Sequence, residues 1–180
     1  MKKAVLFLFG IALFASLQAQ NAAHSLWYGF SASYGKTLAD VSGGQSLDFN
    51  NPYYADARLT IGYNLTPAFS LGIGAGIAGY HSPVVNVIPL FADVRYSFSK
   101  SLFAYADAGP ALSNGGTGNA TSKFFTDFGL GYKIKLGKNL SLTPSIGYNL
   151  LSYDMDWGDV SATDHRLRHS LYFRIGLQLF

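Results

Sequence analysis

The sequence predicts an all-β fold in which eight antiparallel, up-and-down strands close into a transmembrane β-barrel. Three observations predict it. After residue 20 the chain is a succession of segments that alternate apolar and polar residues at a period of two, as strands with two different faces do. The less apolar face of these segments is mainly Gly, Ser, Thr, Asn and Tyr with few ions, which cannot wet the outside of a soluble barrel, whereas the opposite face of Leu, Ile, Val, Ala and Phe suits hydrocarbon. Charged residues make up 13% of the chain and Glu is absent, against roughly 25% in soluble domains, so an ordinary water-facing surface cannot be built from it.

The 180 residues suit one domain, read here as residues 20–180 behind a cleaved signal peptide at 1–19. Lys2 and Lys3 open the leader, an apolar run over 4–15 follows, and small residues lead to an expected cleavage after Ala19. The run is too short for a stop-transfer helix, and no stretch of about 18 apolar residues follows it. Without Lys2 and Lys3 the formal charge of +3 falls to about +1, which gives no case for nucleic acid as a partner. With no cysteine there is no disulfide framework, thiolate metal site or lipidation Cys. No cofactor is expected.

The first strand covers 24–34, with Leu26, Tyr28, Phe30, Ala32 and Tyr34 on one face and Trp27, Gly29, Ser31 and Ser33 on the other. A polar, glycine-rich connection is expected from Gly35 to Tyr54. The second strand, 55–65, turns at Thr66 and Pro67 into the third, 68–79, where Gly72, Gly74 and Gly76 alternate with Leu71, Ile73 and Ala75. That strand period, with no following helix or Lys, separates the run from a phosphate loop. A link at His81, Ser82 and Pro83 leads to the fourth strand, 84–98, which turns at Ser99 and Lys100 into the fifth, 102–112. A connection at 113–122 precedes the sixth, 123–136, and Gly137, Lys138 and Asn139 turn it into the seventh, 140–151, where Pro144 marks an irregularity. An acidic connection, 152–166, leads to the last strand, 167–180. Tight turns thus alternate with longer connections, the short link at Pro83 being the exception among the long set, and this is the asymmetry of barrels that cross membranes.

The last strand sets Leu167, Leu171, Phe173, Ile175, Leu177 and Leu179 against Arg168, Ser170, Tyr172, Arg174, Gly176 and Gln178 and ends on Phe180, with His169 alone interrupting the apolar side. In this the chain resembles bacterial outer-membrane β-barrels. The segments IPLFADVRYSF at 88–98 and FAYADAGPAL at 103–112 resemble the outer membrane protein β-barrel domain family of small porin-like, OmpX-like or opacity-type proteins. The resemblance implies a multi-pass protein of the bacterial cell outer membrane with periplasmic turns and termini. It also implies contact with outer-membrane lipid and lipopolysaccharide, and recognition by the barrel assembly machinery through the C-terminal strand ending in Phe180. Phe180 departs from the family pattern by sharing the parity of Gln178 and Arg174; a bulge near Gly176 or a terminal residue turned to the interface would account for it.

Eight strands enclose a space just wide enough for side chains to fill. Asp56, Arg58, Asp93, Arg95, Asp107, Asp127, Lys133 and Arg174 all take the inward parity, where an unpaired ion is expensive, so they are expected to form a paired network in the lumen. The expected function is a small integral membrane barrel with a filled lumen and surface loops for structural, adhesion or binding roles. A narrow porin-like channel for small solutes is the first alternative, and a lipid-modifying enzyme the second. No enzyme is expected: His169 adjoins Ser170 and His81 adjoins Ser82, but neighbouring strand residues face opposite ways and cannot make a Ser–His bond within their strand. The acidic connection offers Asp154, Asp156, Trp157 and Asp159 as candidate loop-binding residues for an unnamed extracellular ligand; its spacing lacks the Gly and bidentate Glu of a calcium loop, so no metal is expected.

Overall fold

The computed structural model describes residues 25–42, 45–47, 52–116, 120–155 and 164–180; the leader assigned to 1–19 lies outside them. The strands are β1 (Leu26–Ser42), β2 (Gln45–Leu47), β3 (Tyr53–Asn64), β4 (Phe69–Tyr80), β5 (Val85–Ser97), β6 (Leu102–Gly116), β7 (Thr121–Tyr132), β8 (Ile134–Lys135), β9 (Leu140–Met155) and β10 (Asp164–Leu179). Eight are long. They pair antiparallel in the order β1, β3, β4, β5, β6, β7, β9, β10, and β10 closes on β1 from Tyr28↔Leu179 to Ser42↔Arg166. The short β2 pairs the end of β1, and β8 continues the line of β7 against β9. This is a closed eight-stranded barrel with no free sheet edge among its long strands.

One end is made of tight turns. Leu65 and Thr66 donate to the Phe69 carbonyl, Phe98 and Ser99 to that of Leu102, and Leu136 and Gly137 to that of Leu140. The Thr66 and Ser99 hydroxyls accept from Phe69 and Leu102 N–H and fix two of these turns. At the opposite end the strands run on further than the alternation predicts. The connection expected from Gly35 is strand as far as Ser42; β6 reaches Gly116, β9 reaches Met155, and β10 starts at Asp164. Gly35 is not a turn glycine. It stands opposite Tyr172, and a Cβ there would come 2.6 Å from the Tyr172 Cα, so glycine lets the two backbones approach. At about 3.3 Å per residue, the 16 residues of β9 and of β10 exceed the roughly 9 to 11 that a tilted crossing needs and carry the barrel wall beyond the bilayer.

The two faces separate cleanly. Ile73 is 70% exposed, while Trp27, Tyr54, Leu151 and Tyr153 on the inner face are sealed. Exposed aromatics band the wall near both ends: Tyr63, Tyr96, Phe98 and Tyr132 toward the turns, Tyr34, Tyr53 and Phe124 toward the longer connections. Ile175 is the middle of the outward run from Leu171 to Leu179. Ile175→Arg is expected to cost about 2 to 4 kcal/mol in urea unfolding from lipid vesicles, as a cation at mid-bilayer does, whereas a water-facing site would tolerate it.

Phe180 follows β10 without any bulge at Gly176, since β10 keeps continuous register with β9 from Asp164 to Leu179. Its N–H donates to the Asn139 carbonyl at 3.0 Å, and its ring lies 4.9 Å from the Lys133 Nζ at the turn-end mouth. The parity of Phe180 therefore follows from uninterrupted strand geometry.

Candidate functional site

The lumen is filled in layers that the strand registers dictate. Nearest the turns, the Arg95 guanidinium lies 4.0 Å from the Trp27 ring centre, and its Nε is 3.0 Å from an Asp93 oxygen. Trp27 fits because Gly62 opposes it; a Cβ on Gly62 would fall 2.1 Å from the indole.

The next layer follows from three direct cross-strand pairings: Asp93↔Asp107, Asp107↔Asp127 and Asp127↔Asn149. Three carboxylates side by side on neighbouring strands repel one another. Two guanidinium groups reach across the lumen to hold them. Arg58 lies 2.7 Å from Asp56, 3.1 Å from Asp107 and in direct contact with Asp127. Arg174 lies 2.7 Å from Asp127 and 3.3 Å from Asp107, and its Nε donates to Ser33 at 2.9 Å. The faces of Phe91 and Phe125 flank Arg58 at 5.4 and 5.2 Å, while Tyr105 and Tyr172 flank Arg174 and bond to each other at 2.8 Å. Asn149 completes the layer, donating to Asp127 at 2.6 Å and accepting from Tyr80 at 2.7 Å.

Between the Arg95 and Arg58 layers remains a cavity of about 30 Å³, room for about two water molecules. Asp107 and Gln178, both in its lining, each keep one buried oxygen without a protein hydrogen-bond partner.

A further ion pair closes the far end. Arg168, fully buried, lies 2.7 Å from Asp40, donates to the Pro83 carbonyl at 3.1 Å and to the Tyr153 hydroxyl at 3.1 Å; Tyr153 in turn bonds Asp40. The contact with Pro83 ties the link between β4 and β5 inward, and Val85, Val87, Leu151 and Met155 are sealed around it.

The profile of a family described as outer membrane protein beta-barrel domain matches residues 9–173. The chain belongs to this family. Among solved structures, outer membrane protein AlkL, determined by solid-state NMR in lipid bilayers, superposes with a TM-score of 0.54 at 17% identity, covering 90% of this chain and 92% of that one. OprG from Pseudomonas aeruginosa superposes with a TM-score of 0.54 at 9% identity, covering 87% and 95% of the two chains. Neisserial surface protein A gives 0.51 at 15% identity, covering 86% and 96%. These likenesses speak to the fold. No curated protein matches the sequence at a significant level. As a member of the outer-membrane β-barrel domain family, the protein sits in the bacterial outer membrane with its apolar wall against lipid.

In this outer-membrane barrel, seven of the eight residues expected in a lumen network lie in the two layers around Arg58 and Arg95. Lys133 does not; it stands beyond β7 beneath Phe180. Asp40 and Arg168 form a further buried ion pair that the alternation alone does not reveal. A bulge between Thr37 and Ala39 reverses the parity of β1 and turns Asp40 inward. The usable signal was the inward parity of Arg168, a buried cation in need of a carboxylate.

Of the candidate loop residues, Asp156, Trp157 and Asp159 lie outside the described residues. Asp154 belongs to the end of β9, where it pairs with Lys123 at 2.6 Å and with His165 at 2.5 Å. Burial pushes its carboxyl up, but the hydrogen bonds to Lys123 and His165 outweigh this and hold it below the usual range. Among the described residues no group of three His, Asp or Glu side chains is placed to hold a metal. His169 accepts or donates a 2.9 Å hydrogen bond with Tyr148, while Ser170 is buried inside against Thr37 at 3.1 Å, so the two adjacent side chains serve opposite faces. His81 stacks on Tyr53 at 4.6 Å.

Proposed function

We propose that this outer-membrane barrel keeps its lumen shut and works through its surface, as a structural, adhesion or binding protein. The observation that carries this reading is the middle of the barrel, where buried Arg–Asp layers leave a cavity of only about 30 Å³, too small for a sugar. Opening a path would mean separating Arg58 and Arg174 from their carboxylates inside a sealed interior, which is strongly unfavourable. The turn end and both termini face the periplasm, and the end where β9 stops and β10 starts faces outward. The leader ending at Ala19 is removed on export. β10 with Phe180 engages the barrel assembly machinery, and the outer leaflet supplies lipopolysaccharide contacts. This orientation is supported by the short turns at one end and the strands extended past the bilayer at the other.

Liposomes carrying the folded protein are expected to swell in small sugars no faster than protein-free liposomes. Swelling at porin-like rates would replace this reading with the channel alternative. Electrophoresis with and without boiling, run on the same preparation, establishes that the barrel tested is folded.

A further inference from the structure

The mouth at the turn end, opposite the Asp40–Arg168 pair, leads into a cavity of about 480 Å³. The charged side chains of its lining have one sign. Lys100 comes from the turn after β5, Lys133 and Lys135 from the end of β7 and from β8, and Lys138 from the turn before β9, and the lining contains no Asp or Glu. Five serines and Asn64 complete the polar wall. Among the described residues no carboxylate lies within 4.0 Å of any of these four lysines; the one lysine ion pair is that of Lys123 with Asp154 at the other end. Lys133 rests beneath the Phe180 ring instead.

A structural explanation of this arrangement is poor. Lys133 and Lys135 sit two residues apart on the same face, where like charges repel, and the strand partner of Lys135 is Ser141, which offers no charge in return. Turn lysines that served only solubility would point away from the mouth. Four lysines lining one cavity together with five serine hydroxyls suit an oxyanion, and lysine binds phosphate as a point charge without demanding one fixed geometry.

We propose that this vestibule binds a multiply charged, phosphate-bearing anion. Its volume lies within the range of small-molecule sites and well above that of a single phosphate, so the fitting ligand carries at least two linked or neighbouring phosphates. Two sources share that chemistry: a soluble diphosphate from the compartment at this end, or the head group of a two-phosphate lipid in the leaflet where the turns sit. The Trp27–Arg95 layer forms the inner limit, so the ligand is held at the mouth and does not pass.

The test uses detergent-folded full barrel in low salt. Inorganic pyrophosphate is titrated by calorimetry, and retention of cardiolipin against phosphatidylcholine is read by native mass spectrometry. Wild type is expected to bind at least one of the two-phosphate probes. K100Q/K138Q and K133Q/K135Q should each weaken that binding by on the order of 25-fold, at roughly fivefold per lost charge, and raising salt should weaken it further. K36Q, on the outer wall of β1, should bind as wild type does. Pyrophosphate binding alone assigns a soluble ligand, and cardiolipin retention alone assigns a lipid. Binding of neither probe, or binding that survives both double substitutions, overturns the proposal. Lys100 and Lys138 lie in exposed turns, so their variant folds even if the other pair does not, and the heat-dependent gel shift checks each.

Discussion

Replacing Arg58 with methionine is expected to destabilise the folded barrel by about 3 to 5 kcal/mol, the range for removing one partner from a buried ion pair. The size of the effect comes from the sheet register. Because β5, β6 and β7 set Asp93, Asp107 and Asp127 directly side by side, the strands themselves bring like charges together. Arg58 contacts Asp107 and Asp127 as well as Asp56. Without it, Arg174 alone faces the same carboxylates, and it lies 3.9 Å from Asp56. Urea unfolding from lipid vesicles at neutral pH measures the loss. Adding Asp127→Asn to the variant should recover part of it, because that removes the charge left uncompensated. A loss below about 1 kcal/mol, the scale of an exposed pair, would show that the ion layer does not hold the centre of the barrel together.

What the sequence makes legible is whatever period-two alternation reports directly. Arg58 and Asp107 fall on the inner wall and Ile73 and Ile175 on the outer one because each lies in an unbroken run, and a barrel has only two walls to choose between. Cross-lumen partners are another matter. Nothing in the spacing of Arg58 and Asp127 says that they meet; that depends on strand order and register around the whole closure. Strand ends fail for a local reason. Gly35 looks like a turn residue in isolation, and only the Tyr172 backbone opposite explains why a strand needs glycine there. Asp40 fails because one bulged residue reverses the inside–outside code for everything after it. Lys133 follows the inward parity correctly, but parity carries no depth, so the sequence could not separate a lumen cation from one at the mouth.

The Asp40–Arg168 pair yields the second large effect. Asp40→Ala leaves the Arg168 guanidinium sealed from solvent without its carboxylate, and a cost of about 3 to 5 kcal/mol is expected here too. The consequence is more local than at Arg58, because Arg168 also holds the Pro83 carbonyl and the Tyr153 hydroxyl. Losing its anchor should loosen the β4–β5 link and the end of β9 before the remainder of the wall. Hydrogen exchange should therefore rise at residues 84–87 and 151–155 while amides around Ile175 and Leu59 stay protected. Asp40→Ala combined with Arg168→Met should recover much of the stability, since a buried pair exchanged for apolar groups is often close to neutral. If exchange rises evenly around the barrel, or if the double variant is no more stable than Asp40→Ala, then this end is held by Val85, Leu151 and Met155 packing and the ion pair is incidental to it.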